Sequence, residues 1–162
     1  MRRPRGWTHP IPVGRDWRAE LVVFFNYGLD SGTVWGTTPG HEPILWRHVS
    51  WNRIAPDREV KEQARWGWLL YRRVKTGKSF CRPMNRVVNA HLKSLRTEHD
   101  LPSDPVFLGG GSRPNVRFRE LCDLAEIAAK TDGDTGEQKP WVLKDLRKTS
   151  ATHYDEQMTE SD

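Results

Sequence analysis

The sequence predicts an α+β fold, mainly helical, with helices packed around a small antiparallel β-sheet. Three observations lead there. Residues 66–82 hold aromatic and branched residues on both sides of a Thr76-Gly77 pair, the pattern of a hairpin. Apolar residues recur at helical spacing as Val88, Leu92 and Leu95, and again as Phe118, Leu121, Cys122, Ala125 and Ala128. The 162 residues show no internal repeat and include 8 Trp, which places much of one core in a few large side chains. Such a core offsets a hydrophobic content of only 36%.

Taken in order, residues 1–16 carry prolines and glycines without periodicity and read as an extended lead-in. Trp17 to Tyr27 is apolar nearly all round, so a short helix buried on most sides is expected, with a core strand as the alternative and Gly28 as its terminator. Residues 29–43 read as a loop or broken helix, and Ile44 to Trp51 return to the core. A strand from Trp66 to Val74 turns at Thr76-Gly77 into a second strand, Ser79 to Arg82, that Pro83 stops. Trp66 and Trp68 alternate there, so one of them can face solvent. Asn85 is placed to cap the next helix, which ends before Asp100-Leu-Pro102. Val106 to Leu108 is a short apolar run ended by three glycines, and a helix and a polar loop over 130–139 follow. Pro140 then suits the first turn of a last amphipathic helix with Leu143 and Leu146 on its buried face. The integrated reading is one domain over 17–155 and an acidic tail over 156–162.

Charge is unevenly distributed. The formal net charge is +5, and residues 61–96 hold ten Lys and Arg against the single acid Glu62. No Lys or Arg occurs between Arg18 and Arg47, and residues 155–162 hold four acids and no base. A concentrated basic block points to a polyanionic partner. Cys81 and Cys122 do not suggest a disulfide framework, and the six His form no ligand pair on one helical face, so neither metal nor cofactor is expected. The run Leu21 to Phe25 is far too short to span a membrane. A cytoplasmic protein is expected, nucleoid-associated in a bacterium, without a membrane or small-molecule partner.

Two basic elements carry candidate chemistry. One is the hairpin tip Lys75-Thr-Gly-Lys78, too short and wrongly spaced for a glycine-rich phosphate loop. The other is the last helix, where Lys144, Arg147, Lys148 and His153 lie within a turn or two of one another. Each alone reads as an ordinary solvated face.

Together, Tyr27-Gly-Leu-Asp30, the run Leu45-Trp-Arg-His-Val49, the Lys75-Thr-Gly-Lys78 hairpin leading to Pro83, and Leu143-Lys-Asp-Leu-Arg-Lys-Thr-Ser-Ala-Thr152 resemble the catalytic domain of tyrosine recombinases, the phage integrases. The resemblance covers roughly residues 17–155. Its most specific piece is the last, because the family carries a His-x-x-Arg box followed by a Thr-x-Ala-Thr-like segment. The resemblance implies a site where two arginines and a lysine surround a scissile phosphate that a tyrosine attacks. Fixed donors would neutralise charge building on the non-bridging oxygens, and an acid would protonate the leaving oxygen. Arg147 matches the second arginine, suited to a bidentate grip. Lys75 matches the lysine, in the role of that acid, and Lys144 stands where the box has His. Arg72, Arg73, Lys78, Arg82 and Lys148 would touch the flanking backbone.

The chain also departs from the pattern. The family's first arginine falls in a Thr-Gly-Leu-Arg turn, and this chain has Asp30 there; a gapless count back from Trp46 reaches Thr37 instead. Replacing one such donor costs about a hundred- to a thousandfold in rate. The chain ends at Asp162, ahead of the region where the family places its tyrosine, and Tyr154 lies only two helical turns beyond Arg147. The expectation is a truncated, partly degenerate integrase-like domain of mobile-element origin that binds double-stranded DNA, with oligomerisation on DNA possible, and does not cleave it alone. The alternatives are a non-catalytic nucleic-acid-binding or regulatory module and a basic domain with a protein partner.

Overall fold

The computed structural model describes residues 13–107, 114–146, 148 and 149. They form a mixed α+β fold. In chain order it has α1 (Val13–Tyr27), α2 (Ser31–Trp35), a 3-10 turn (Trp46–His48), β1 (Val49–Ser50), β2 (Trp68–Arg72), β3 (Ser79–Pro83), α3 (Arg86–Leu95), α4 (Pro114–Leu124), β4 (Lys130–Thr131) and β5 (Gln138–Lys139). Residues 143–146 are also helical. The two sheets are antiparallel, one of three strands in the order β1-β2-β3 and one of two, β4-β5.

The core forms where the apolar periodicities meet. Ala19, Val23 and Phe24 of α1 and Val88 and Leu92 of α3 recur at three- and four-residue spacing, and α1 packs against α3 along them. Phe24 meets Trp35 of α2 edge to face with ring centroids 5.2 Å apart, the arrangement that opposes a ring edge to a ring face. Alternation along β2 divides its side chains between two clusters. Leu69 and Tyr71 join the main core, while Trp68 joins Ala55 and Ala64 on the other face. The Trp68 indole N–H donates to the Arg53 carbonyl at 3.0 Å, which satisfies its one polar atom.

Local signals place most elements as expected. Asn85 accepts from the Val88 N–H at 2.9 Å and caps α3. β2 and β3 pair with Leu70 opposite Cys81, around a turn that contains Thr76 and Gly77. Five expectations are corrected. α1 begins at Val13, inside the expected lead-in, because a proline just ahead of a first turn is compatible with helix rather than a stop. β2 begins at Trp68 rather than Trp66, since Gly67 at φ 88° breaks the extended run. Trp66 is half-buried beneath Arg65, so neither tryptophan stands free in solvent.

α4 ends at Leu124, and Ala125 and Ala128 are exposed rather than on a buried stripe. Glu126 adopts φ 53°, its N–H donates to the Asp123 carbonyl at 3.1 Å, and the Ile127 N–H donates to the Cys122 carbonyl at 2.9 Å, the pattern of a left-handed helix stop. Residues 130–139 form the β4-β5 hairpin instead of a polar loop. Its Lys139 ammonium reaches Asp132 at 2.6 Å across the strands.

Cys81 is half-buried and Cys122 buried, both free, and burial raises the pKa of each thiol. Among the described residues no helix is long and apolar enough to cross a membrane.

Candidate nucleic-acid interface

The β2-β3 hairpin gathers most of the cations singled out in the sequence. From Arg72 to Arg82 there are five, Arg72, Arg73, Lys75, Lys78 and Arg82, and no carboxylate. The turn is closed by the Arg73 N–H on the Lys78 carbonyl and the Gly77 N–H on the Arg73 carbonyl, both at 2.9 Å. Gly77 takes φ 63°, a left-handed conformation natural to glycine. Lys75 and Lys78 are exposed on this turn.

The hairpin arginines are not equivalent. The Arg72 Nε–H donates to the Gly77 carbonyl at 2.9 Å, and its own carbonyl accepts from His41 Nε2 at 2.8 Å, so Arg72 braces the turn. Arg73 and Arg82 lie over the Phe80 ring, 5.4 and 5.6 Å from its centroid, and Phe80 stacks on Tyr71 at 5.4 Å. The ring narrows the range of both guanidiniums. Phe80 was not singled out in the sequence, although its place two residues before Arg82 on one strand face could have shown it. Among the described residues no carboxylate pairs with any of these five cations.

The turn after α1 packs beside this hairpin. The Val74 N–H lies 3.4 Å from the Thr33 hydroxyl oxygen, and a Cβ on Gly32 would stand 2.9 Å from Val74 Cγ2 and 3.2 Å from Asp30 Oδ1. The position where the resemblance expects an arginine therefore neighbours the segment carrying Lys75. Its occupant has a different use: Asp30 accepts the Thr33 N–H at 2.9 Å and caps α2. We expect Asp30→Ala to lower stability by about 1 kcal/mol in urea melts. An unchanged melt would contradict this account of the residue.

The C-terminal helix is organised by Asp145. Its carboxylate accepts the Lys130 ammonium at 2.5 Å and the Val142 N–H at 2.9 Å, tying β4 to the first helical turn. The helix accordingly begins at 143 rather than at Pro140 as the proline suggested. Leu143 is buried and Leu146 half-buried, as the periodicity predicts. Burial pushes the Asp145 pKa up, but Lys130, the Val142 N–H and the charge of Lys148 outweigh it, and the net direction is down. A carboxylate lowered in the folded state stabilises above its unfolded pKa, and that contribution is lost as pH falls through the folded value. Asp145→Ala is expected to cost about 1–3 kcal/mol at neutral pH, with the difference from wild type shrinking in melts carried out under acid conditions.

Lys144 and Lys148 are exposed on this segment. Arg147, His153 and Tyr154 lie outside the described residues, so the structure gives no placement for the second arginine of the resemblance.

A cleft of about 490 Å³ opens between the 40–48 segment and the hairpin. Arg47 grips Glu42 through two contacts of 2.5 and 2.6 Å, and His48 Nε2 lies 3.3 Å from the same carboxylate. The His48 Nδ1 accepts the Leu45 N–H at 3.1 Å. Burial lowers the His48 pKa, Glu42 opposes the shift and Arg47 adds to it. Arg47, Glu42 and His48 satisfy one another, and the wall sets Glu42 and Asp57 beside Arg47 and Arg72, so its formal charges balance. Among the described residues no three His, Cys, Asp or Glu side chains are grouped to hold a metal ion.

The chain was compared with protein-family models, with curated proteins and with solved structures, and none of the three gave a match.

Proposed function

We propose that this chain is a DNA-binding domain of the tyrosine recombinase type, mainly helical and of mobile-element origin, that grips the backbone of double-stranded DNA through its β2-β3 hairpin. The observation that carries the reading is the run of five cations from Arg72 to Arg82, without a carboxylate partner among the described residues and packed against the turn that holds Asp30. Cations held by a rigid turn and an aromatic ring contact phosphates at low ordering cost. In this reading Lys75, Lys144 and Arg147 approach one phosphate, Arg73, Lys78, Arg82 and Lys148 flank it, and the protein works in the cytoplasm.

A non-catalytic role is favoured by Asp30, whose carboxylate replaces a donor and serves a helix cap. The test is binding to a mixed-sequence duplex across a salt series, together with incubation on a nicked suicide substrate. Affinity should fall steeply with salt, and no covalent adduct should form. A salt-independent affinity would remove the phosphate surface, and an adduct would remove the claim of inactivity.

A further inference from the structure

We propose that the flank of α3, together with Arg65 and Trp66, is a second surface for the phosphate backbone of duplex DNA, distinct from the hairpin. The inference rests on the DNA-binding reading above and extends it. In the sequence the basic residues of 61–96 form one block, but the fold divides them. Five stand on the hairpin, while Lys61, Arg65, Arg86, Lys93 and Arg96 fall elsewhere.

Arg86, Asn89, Lys93 and Arg96 follow one another at spacings of three and four residues, which places them along one stripe beside the buried Val88-Leu92 face. This flank looks onto the loops before β2. The Asn89 amide donates to the Trp66 carbonyl at 2.6 Å, and a Cβ on the intervening Gly67 would stand 3.1 Å from Trp51 Cα. Trp51 and Trp66 are thereby drawn together beside α3.

Of the four cations Arg65, Arg86, Lys93 and Arg96, three rest on separate tryptophans. The Arg65 guanidinium is 5.0 Å from the Trp66 ring centroid, the Lys93 ammonium 5.6 Å from that of Trp51, and the Arg96 guanidinium 5.4 Å from that of Trp46. All four cations are exposed, and no carboxylate among the described residues pairs with them. Elsewhere in the molecule Arg47, Lys130 and Lys139 each hold a carboxylate. A cation resting on a ring keeps its charge and has fewer conformations to lose on binding, which suits an anionic partner. The rings also decide which one. They are covered by the protein's own cations, so they do not form stacking platforms for unpaired bases, and the regular phosphates of a duplex are the better fit. The charge spacing along one stripe matches a partner with repeated rather than single anions.

The experiment measures affinity for a mixed-sequence duplex against salt, with the hairpin intact and Arg65→Gln, Arg86→Gln, Lys93→Gln and Arg96→Gln combined. The slope of log affinity on log salt should become shallower by about three to four, roughly one unit for each phosphate that is no longer neutralised. The variant with Arg65→Lys, Arg86→Lys and Arg96→Lys keeps the charge and should keep the slope. Should the fourfold variant lose its cooperative melt, Lys93→Gln with Arg96→Gln on the exposed end of the stripe decides, with an expected change of about two. An unchanged slope while hairpin substitutions still reduce it would overturn the second surface and leave the hairpin reading standing. Unchanged slopes for both would overturn both. A preference for single-stranded over duplex DNA that depends on Trp51 would also overturn the proposal.

Discussion

Replacing Arg73, Lys75, Lys78 and Arg82 together by glutamine is expected to remove most of the salt-dependent DNA affinity contributed by the hairpin. Four phosphate contacts give a slope of about −3.6 in log affinity against log salt, so wild type should lose about 150-fold more affinity than the variant between roughly 50 and 200 mM salt. Arg72 is left in place because its Nε–H on the Gly77 carbonyl supports the turn, and removing it would confuse loss of charge with loss of shape. The substituted side chains are polar and lie on the turn or over the Phe80 ring rather than in the core, so the melting temperature should change little. Filter binding or fluorescence anisotropy across the salt series reads the effect directly. Parallel salt lines for variant and wild type would show that the hairpin does not contact phosphates.

Gly67→Ala is expected to cause a large loss of stability for so small a change, at least about 3 kcal/mol and a melting temperature lower by about 10 °C. Gly67 adopts φ 88°, a conformation in which an L side chain is strained. A Cβ there would stand 2.2 Å from the Ser50 carbonyl oxygen, a backbone atom that cannot rotate away, and 3.0 Å from Met84 Cε. Two connections depend on this close approach. β1 pairs with β2 through Ser50 and Trp68, and the Met84 N–H donates to the Gly67 carbonyl at 2.8 Å. Alanine would push β1 from the sheet and disturb the entry to α3 at once. Gly133 is the matched control: a Cβ there meets nothing within 4 Å, and Gly133→Ala should stay within about 0.5 kcal/mol of wild type. Thermal melts of the two variants should therefore separate clearly, and equal effects would show that the Ser50 contact does not hold the sheet.

Much of the local structure is legible in the sequence alone. The hairpin follows from Thr76-Gly77 between two aromatic-rich runs, and α3 from Asn85 and the Val88, Leu92 and Leu95 spacing, because caps, turns and periodicity act within a few residues. The same local rules misjudge α4. Ala125 and Ala128 continue its apolar spacing, yet alanine buries too little area to hold a fourth turn, and the helix stops short of Glu126, a left-handed residue. The β4-β5 hairpin escapes them because its residues are nearly all polar. It is held by strand pairing and by the Lys139 to Asp132 contact, which no hydrophobic pattern announces.

The candidate site divides along the same line. Lys75, Lys78 and the neighbouring arginines can be named from sequence, since a basic turn is a contiguous feature. The use of Asp30 as the cap of α2 required the helix to be seen, because five residues are too few to show a period.

What the sequence by itself determined is therefore the identity of the basic block, the hairpin that presents part of it and the helix that follows. Only the tertiary structure decided that Arg73 and Arg82 share the Phe80 ring, that Arg65, Lys93 and Arg96 rest on three tryptophans, and that the block faces outward in two places. The physical reason is reach. Backbone preferences are set by neighbours in the chain, whereas the place of a long cationic side chain is set by whichever ring or carboxylate the fold brings within a few ångströms of it.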